Sequence, residues 1–298
     1  MDIFVQLTIA GLSNGAILAL AALGFVLVYK ASGVINFAQG QFLLVGAYVL
    51  WAAIVRWGLP WELAVVAAIV VAIALGLVVE RLALRPLVGQ PVISVIMVTV
   101  GLAYVLGGAV LWIWGPNASG FPAFIPSDNV SVLGTEVGQN RLWAIGLVAV
   151  VLVGFVLFFR RSRHGIAMRA VADDQQAALS VGISVSRVIA LAWALAGVTA
   201  VGGGMLIANL TGVSLDLSSF GLLVFPVVIL GGLDSVPGAV VGGAVIGLLQ
   251  QYSGFYLDQQ LTKINITGTQ ELVPYVALVL ILLVKPYGLF GQERIERV

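Results

Sequence analysis

Three stretches of this sequence set polar or charged side chains where apolar sequence would otherwise run on, and each suits a different chemistry. Asn36, Gln39 and Gln41 cluster about Gly40, shortly after Gly33, just as an apolar run begins. Broken helices at membrane depth survive only where protein or water satisfies the freed backbone groups. Transporters use such half-helix ends to hold polar substrate atoms. Two roles are open to these residues: a place on a translocation path, or capping and hydrogen bonding between neighbouring helices.

The second stretch is the polar, basic segment 160–187, and within it Asp173-Asp174-Gln175-Gln176-Ala177-Ala178-Leu179-Ser180 reads as a short helix. Acids at its start suit the helix dipole, and Gly182 stands beyond its end as a stop. Asp173, Asp174, Ala177, Ala178, Leu179 and Gly182 therefore define a small, Ala-rich helix that could enter a groove in a partner protein, with Ala178 on the entering face. The other reading makes it a cap on the bundle, or a surface element anchored to lipid by Arg160, Arg161 and Arg163.

The third stretch, 230–247, carries Gly231, Gly232, Asp234, Pro237, Gly238, Gly242, Gly243 and Gly247. Gly238-xxx-Gly242 and Gly243-xxx-Gly247 are ridges for close helix contact. Asp234 is either a functional carboxylate within the membrane or the cap of the helix that Pro237 opens. Gly-rich units at 24–49 and 222–247 suggest an internal duplication. No residue set is assigned to catalysis or to a metal. The three lysines, Lys30, Lys263 and Lys285, are not preceded by glycine, so no phosphate-cradling loop is present. His164 is the only histidine and there is no cysteine.

These stretches sit in a chain of 298 residues that is 61% hydrophobic and only 9% charged, with mean hydropathy +1.12. Soluble domains are about 25% charged, and so apolar a chain could not cover one water-facing core. The composition implies a polytopic helical membrane protein, and the 36 Gly suit close helix packing. A net charge of +1 argues against nucleic acid as a partner. Residues 1–6 carry Asp2 and no basic n-region, so the first apolar run reads as a retained span rather than a cleaved signal.

A bilayer core needs about 20 apolar residues per helix. That window yields Leu7–Tyr29, Ile35–Trp57, Pro60–Leu84, Val92–Trp114, Arg141–Phe159, Val188–Leu210, Ser218–Leu233, Val236–Tyr256 and Glu271–Pro286. With the N-terminus outside, nine alternating spans put Lys30, Arg81, Arg85, Arg160, Arg161, Arg163, Arg169, Arg187, Lys285, Arg294 and Arg297 inside, leaving Arg56, Arg141 and Lys263 outside. Cations collect on the cytoplasmic side, so this map places the C-terminus and the 160–187 loop in the cytoplasm and the 115–140 loop outside. The whole chain reads as a single transmembrane domain.

The motifs GVINFAQGQFLLVGAYV (33–49), VERLALRPL (79–87), RHGIAMRAVADDQQAALSVGIS (163–184), VILGGLDSVPGAVVGGAVIG (228–247) and KPYGLFG (285–291) occur in order along the chain. In this series the chain resembles the permease subunits of branched-chain amino acid (Liv-type) ABC importers. The resemblance implies an all-α polytopic fold of about eight or nine transmembrane helices, some discontinuous, with a short cytoplasmic coupling helix. It also implies a bacterial plasma (inner) membrane location and inward transport of amino-acid-like solutes. The implied partners are a homologous second permease, two cytoplasmic ABC ATPases and an extracytoplasmic substrate-binding protein. ATP and Mg would bind the ATPases, leaving this chain non-catalytic and without a cofactor. At one point the pattern departs: Gln175 and Gln176 stand where an acid is expected before the Ala pair, which removes a salt bridge to the partner from that position. The alternative is a stand-alone channel or secondary carrier for a small polar solute such as urea, against which the docking helix and the lack of an acid relay in the spans both argue.

The cation distribution yields a direct test. A single cysteine at Ser119 is expected to react with an impermeant thiol reagent in intact cells, against a silent cysteine-free background. Labelling only after lysis reverses the map.

Overall fold

The computed structural model describes residues 2–87, 90–117, 119–121, 124–132, 134–262 and 268–291. Lys263, Arg294 and Arg297 lie outside the described residues. The structure is all-α apart from one small hairpin. Helix α1 (Asp2–Ser32) is followed by α2 (Gln39–Val55), α3 (Trp61–Val79) and α4 (Val92–Trp114). Strands β1 (Asn129–Val132) and β2 (Thr135–Gly138) pair antiparallel within the 115–140 loop. Helix α5 (Gln139–Arg161) leads to two short helices, α6 (Arg163–Asp173) and α7 (Gln175–Ser180), and then to α8 (Val185–Thr211). The chain continues as α9 (Leu217–Phe220), α10 (Val224–Gly231), α11 (Val236–Tyr252), α12 (Asp258–Leu261) and α13 (Thr269–Val284).

Burial ranks the helices. In α1, 83% of the most apolar window is buried, and in α8 67%, against 28% or less in α3, α4 and α5. Helices α1 and α8 thus form the centre, around Phe25, Phe42, Tyr48 and Trp193, and the others form a shell with outward apolar faces.

One end of the bundle carries the hairpin: Gln6 Nε2 donates to the Glu136 carbonyl at 3.2 Å, Trp51 Nε1 to Gly120 at 3.1 Å, and Ser119 forms a bridge with Val213. The opposite, basic end joins the termini of α10 and α13, where the Leu289 and Phe290 amides donate to Leu230 and Gly231 at 2.8 and 3.0 Å. The start of α1 and the end of α13 therefore lie at opposite ends.

Two of the nine expected spans are not continuous helices. In place of Ile35–Trp57, the helix starts only at Gln39 and lasts 17 residues, about 25 Å at 1.5 Å per residue. In place of Ser218–Leu233 there are a four-residue helix, a turn and the eight-residue α10, about 12 Å long. Among the described residues five helices are long and apolar enough to cross a bilayer, or six if Leu217–Gly231 and Val236–Leu261 count as one span. The 119° between that pair makes α11 turn back along α10 rather than extend it.

The packing has an inverted symmetry. Helix α1 packs on α11 through Gly11 and Gly15 against Gly247 and Gly243, while α8 packs on α3 through Gly197 against Ala72 and Trp193 against Gly76. Likewise α2 lies on α8 and α10 on α1. Residues 2–114 thus correspond to 185–284 with reversed direction. The contacts pair α1, α2 and α3 with α8, α10 and α11 rather than 24–49 with 222–247.

Adding a Cβ at Gly15 or Gly243 drives it into the facing backbone, whereas Gly146 faces open space. Overpacking typically costs about 1–3 kcal/mol. Gly243→Leu is expected to destabilise the purified protein by at least that much in a denaturation titration, with Gly146→Ala near neutral.

Candidate functional site

The site forms where two chain breaks meet at mid-depth. Helix α1 ends because Gly33 takes φ +68°, a left-handed conformation that its lack of a Cβ permits, with its amide donating to Tyr29 at 2.7 Å. Residues 34–38 then run back into the bundle. Phe37 and Ile35 sit against Thr99, whose hydroxyl donates to the Ile35 carbonyl at 3.3 Å, seven residues or about 10 Å inside α4. At Gln39, Nε2 donates to the carbonyls of Ala21 (3.1 Å) and Ala196 (3.4 Å). Each carbonyl lies about 16 Å from the basic end of its helix, close to half of a 30 Å hydrocarbon core.

From the opposite end, the chain leaves α8 after Thr211 and descends through α9 to Gly221. There it meets Gly40 backbone to backbone: a Cβ on either glycine would collide with the other segment. The start of α2 thus abuts the end of α9 and the turn that leads into α10, in the middle of the bundle. Phe225 packs on both Phe25 and Phe37, with ring centroids 5.3 and 5.0 Å apart.

The sequence-derived path residues separate into two kinds. Asn36 and Gln39 are buried and satisfied: Asn36 Nδ2 donates to Gln39 Oε1 at 3.0 Å, and Asn36 Oδ1 accepts from the Ala38 amide at 3.0 Å. They act as a strut that replaces the missing helical hydrogen bonds. Gln41 differs, since it is partly exposed and its Oε1 is buried without a partner. It lies against Gly107 of α4, on the same face of α2 as Tyr48, whose hydroxyl is also unpartnered. Buried polar atoms normally find partners, so Gln41 Oε1 and the Tyr48 hydroxyl leave open hydrogen-bonding capacity along this face of α2. Thr99 and Tyr48 carry no sequence signal beyond being polar within apolar runs.

The second functional element lies at the basic end. Ser162 caps α6, accepting from the Gly165 amide at 2.8 Å, and Asp174 caps α7, accepting from Gln176 and Ala177 at 2.8 and 2.9 Å. Asp173 is the last residue of α6. Gly182, at φ +83°, closes α7: its amide donates to Leu179 at 3.0 Å and that of Ile183 to Ala178 at 2.9 Å, the paired bonds of a Schellman turn. One expectation is corrected. Ala178 does not lie on a free face but is 2% exposed, within an apolar cluster that also holds Met168, Val171 and Val188 and Leu23, Leu27 and Ala31 of α1. A helix of six residues needs an anchor, and its smallest apolar side chain supplies it. The free face carries Ala177, with Leu179 58% and Val181 76% exposed.

The Gly-rich turn corrects another expectation. Ser235, not Asp234, caps α11, accepting from the Gly238 amide at 3.1 Å with Pro237 in the first turn. Gly231 and Gly238 touch backbone to backbone, as do Gly242 and Val227, and Gly232 abuts Gly291. Asp234 instead shares a cavity of about 620 Å³ with Tyr29, Lys30, Asp173 and Gln175, so the turn and the start of α7 come together. The structure does not bring them to the Asn36–Gln41 break. Among the described residues the one ion pair is Glu80–Arg85, with two hydrogen bonds of 3.2 Å at the π-helical end of α3, within the VERLALRPL motif.

Abutting chain breaks inside an apolar bundle, with a rooted surface helix at one end, define a membrane permease. Comparison with known proteins gives the particular family: residues 7–284 match the branched-chain amino acid transport system permease component, and the chain belongs to it. It is 32% identical to the high-affinity branched-chain amino acid transport system permease protein LivH of Escherichia coli (strain K12), covering 99% of this chain and 98% of the relative. It is 29% identical to BraD of Pseudomonas aeruginosa over the same shares, and 28% identical to a probable LivH of Methanocaldococcus jannaschii over 93% of this chain and 89% of the relative. No solved structure matches.

The two glutamines can be told apart by experiment. Gln39→Leu removes three hydrogen bonds at about 0.6 kcal/mol each in a membrane and is expected to lower stability by about 2 kcal/mol. Gln41→Leu removes an unpartnered oxygen and is expected to leave stability unchanged while lowering uptake per assembled complex. Equal losses of stability in both variants contradict this division.

Proposed function

We propose that the chain is the membrane-spanning permease subunit of an ATP-driven importer for branched-chain amino acids, set in a bacterial inner membrane with its N-terminus outside and its basic end in the cytoplasm. Nine crossings, two of them broken, follow from hydropathy and the cation distribution. A second homologous permease, two ATPases holding ATP and Mg, and an extracytoplasmic binding protein complete the machine. Family membership supports the substrate class, because the curated relatives carry it in their names.

The observation that carries the mechanism is how α7 is rooted. Its buried Ala178 joins one apolar cluster with Met168 and Val171 of α6, Val188 and Ala192 of α8, and Leu23, Leu27 and Ala31 of α1, so α7 rests on α6 and α8 and reaches α1 through α6. Helices α1 and α8 supply the Ala21 and Ala196 carbonyls that hold Gln39. An ATPase pressing on Leu179 and Val181 would thus push the two helices that clamp the mid-depth break. Their relative movement would loosen or tighten the Gly40–Gly221 contact. The solute, released from the binding protein at the hairpin end, would pass the break near Gln41 and leave at the basic end.

Leu179→Glu places a charge on the free face, where an unpaired charge in a protein interface costs several kcal/mol. It is expected to abolish ATP-driven leucine uptake and co-purification with the ATPases, with the permease itself folded and inserted. Ala178→Glu is expected to fail earlier, by lost expression, since its site is already filled from within the chain. Normal uptake by Leu179→Glu excludes the docking role.

A further inference from the structure

A second cavity, also about 620 Å³, opens beside the basic end between α1, α5 and α11, with Met168 and Arg169 of α6 and Phe290 closing it. That volume lies within the range of about 300–1,000 Å³ usual for small-molecule pockets. Its walls are apolar: Val26 and Leu27 from α1, Leu152 and Val156 from α5, and Val240 and Val241 from α11. Val156, Val240 and Val241 are 41%, 36% and 37% exposed, so the groove opens sideways on the apolar shell of the bundle. Its mouth is cationic. Lys30, Arg160 and Arg169 line it with one carboxylate, Asp234. Among the described residues none of these three cations forms an ion pair.

We propose that this groove binds an anionic phospholipid, with Lys30, Arg160 and Arg169 around the phosphate and an acyl chain lying along the valine-lined walls. The division of polarity selects the occupant. Water is held in a cavity by two to four polar partners, and beyond the charged mouth the lining offers only Ser235. A soluble anion would be held by the mouth but would leave the apolar trough empty. Basic pockets between transmembrane helices suit anionic headgroups, and an open lateral side admits a chain from the bilayer. The groove adjoins Lys30 and Asp234, which also border the cavity beside α7. A bound lipid would therefore brace the end of α1 against α6.

The test is native mass spectrometry of the full-length protein in a neutral detergent, titrated with phosphatidylglycerol or with phosphatidylcholine of the same chains. The expected result is at least about tenfold tighter binding of phosphatidylglycerol, since each surface cation is worth about fivefold. Lys30→Gln/Arg160→Gln/Arg169→Gln is expected to abolish this preference, and Val240→Trp to weaken both lipids while keeping it. If the triple variant does not fold, Lys30→Gln alone is expected to lower phosphatidylglycerol binding about fivefold. Equal binding of the two lipids overturns the proposal. So do unchanged binding by the cation variants, displacement of the lipid by equimolar glycerol phosphate, and loss of the lipid when the second permease assembles, which would make the groove a subunit contact. None of these outcomes bears on the transport reading, which rests on α7 and the mid-depth break.

Discussion

Hydrocarbon offers no hydrogen-bond partner, so a chain that leaves the helical path inside a membrane must satisfy its backbone from within the protein. Much of this structure answers that demand. Two segments leave the helical path, one after Gly33 and one after Thr211, and they converge at Gly40 and Gly221. The Asn36 turn, the Thr99 hydroxyl and the Gln39 amide supply the missing partners. Closing the site requires α1 and α8 to approach within reach of one side chain, and that explains the small residues along both helices. Gly24 lies against Thr199 and Gln39, and Gly204 lies on the backbone of Leu43. Larger residues there would hold the helices apart and leave the broken segment unsatisfied.

Much of this was legible in sequence, for identifiable reasons. The continuous spans follow from hydropathy alone, and Val92–Trp114 appears in the structure with the bounds that hydropathy sets. The broken ones do not, because hydropathy measures transfer from water and is blind to chain direction. Ser218–Leu233 is apolar throughout most of its length yet holds two short helices and a turn. The amides about Gly40 were visible as polar residues in an apolar run, but whether each faces a neighbour or a passage depends on partners far along the chain. Gln39 is fixed by Ala21 and by Ala196, 157 residues away. Ala178 illustrates the same limit at short range: a six-residue helix has too little periodicity to reveal which face is anchored. Asp234 and Ser235 are both capable caps, and the turn geometry, not the residue types, selects Ser235.

The role of the chain rests on both levels. Motif order along the chain pointed to the family, and the family match over residues 7–284 agrees with it. The structure adds a physical linkage between the surface helix and the break, through one apolar cluster shared by α1, α6, α7 and α8. Polar site residues that sequence did not single out, Thr99 and Tyr48, were invisible because one threonine or tyrosine in a helix carries no pattern.

The inverted packing has an energetic consequence. If residues 2–114 adopted the tilt now held by 185–284, and the reverse, the bundle would regain a similar set of helix contacts while opening toward the other side. The two arrangements would then be close to isoenergetic, and a modest load at one end would be enough to tip the balance. The halves are not identical: α1 and α11 meet glycine to glycine at Gly15 and Gly243, whereas Gly76 of α3 meets the backbone of Trp193. The two seams thus differ in composition, glycine on glycine in one and glycine on tryptophan backbone in the other.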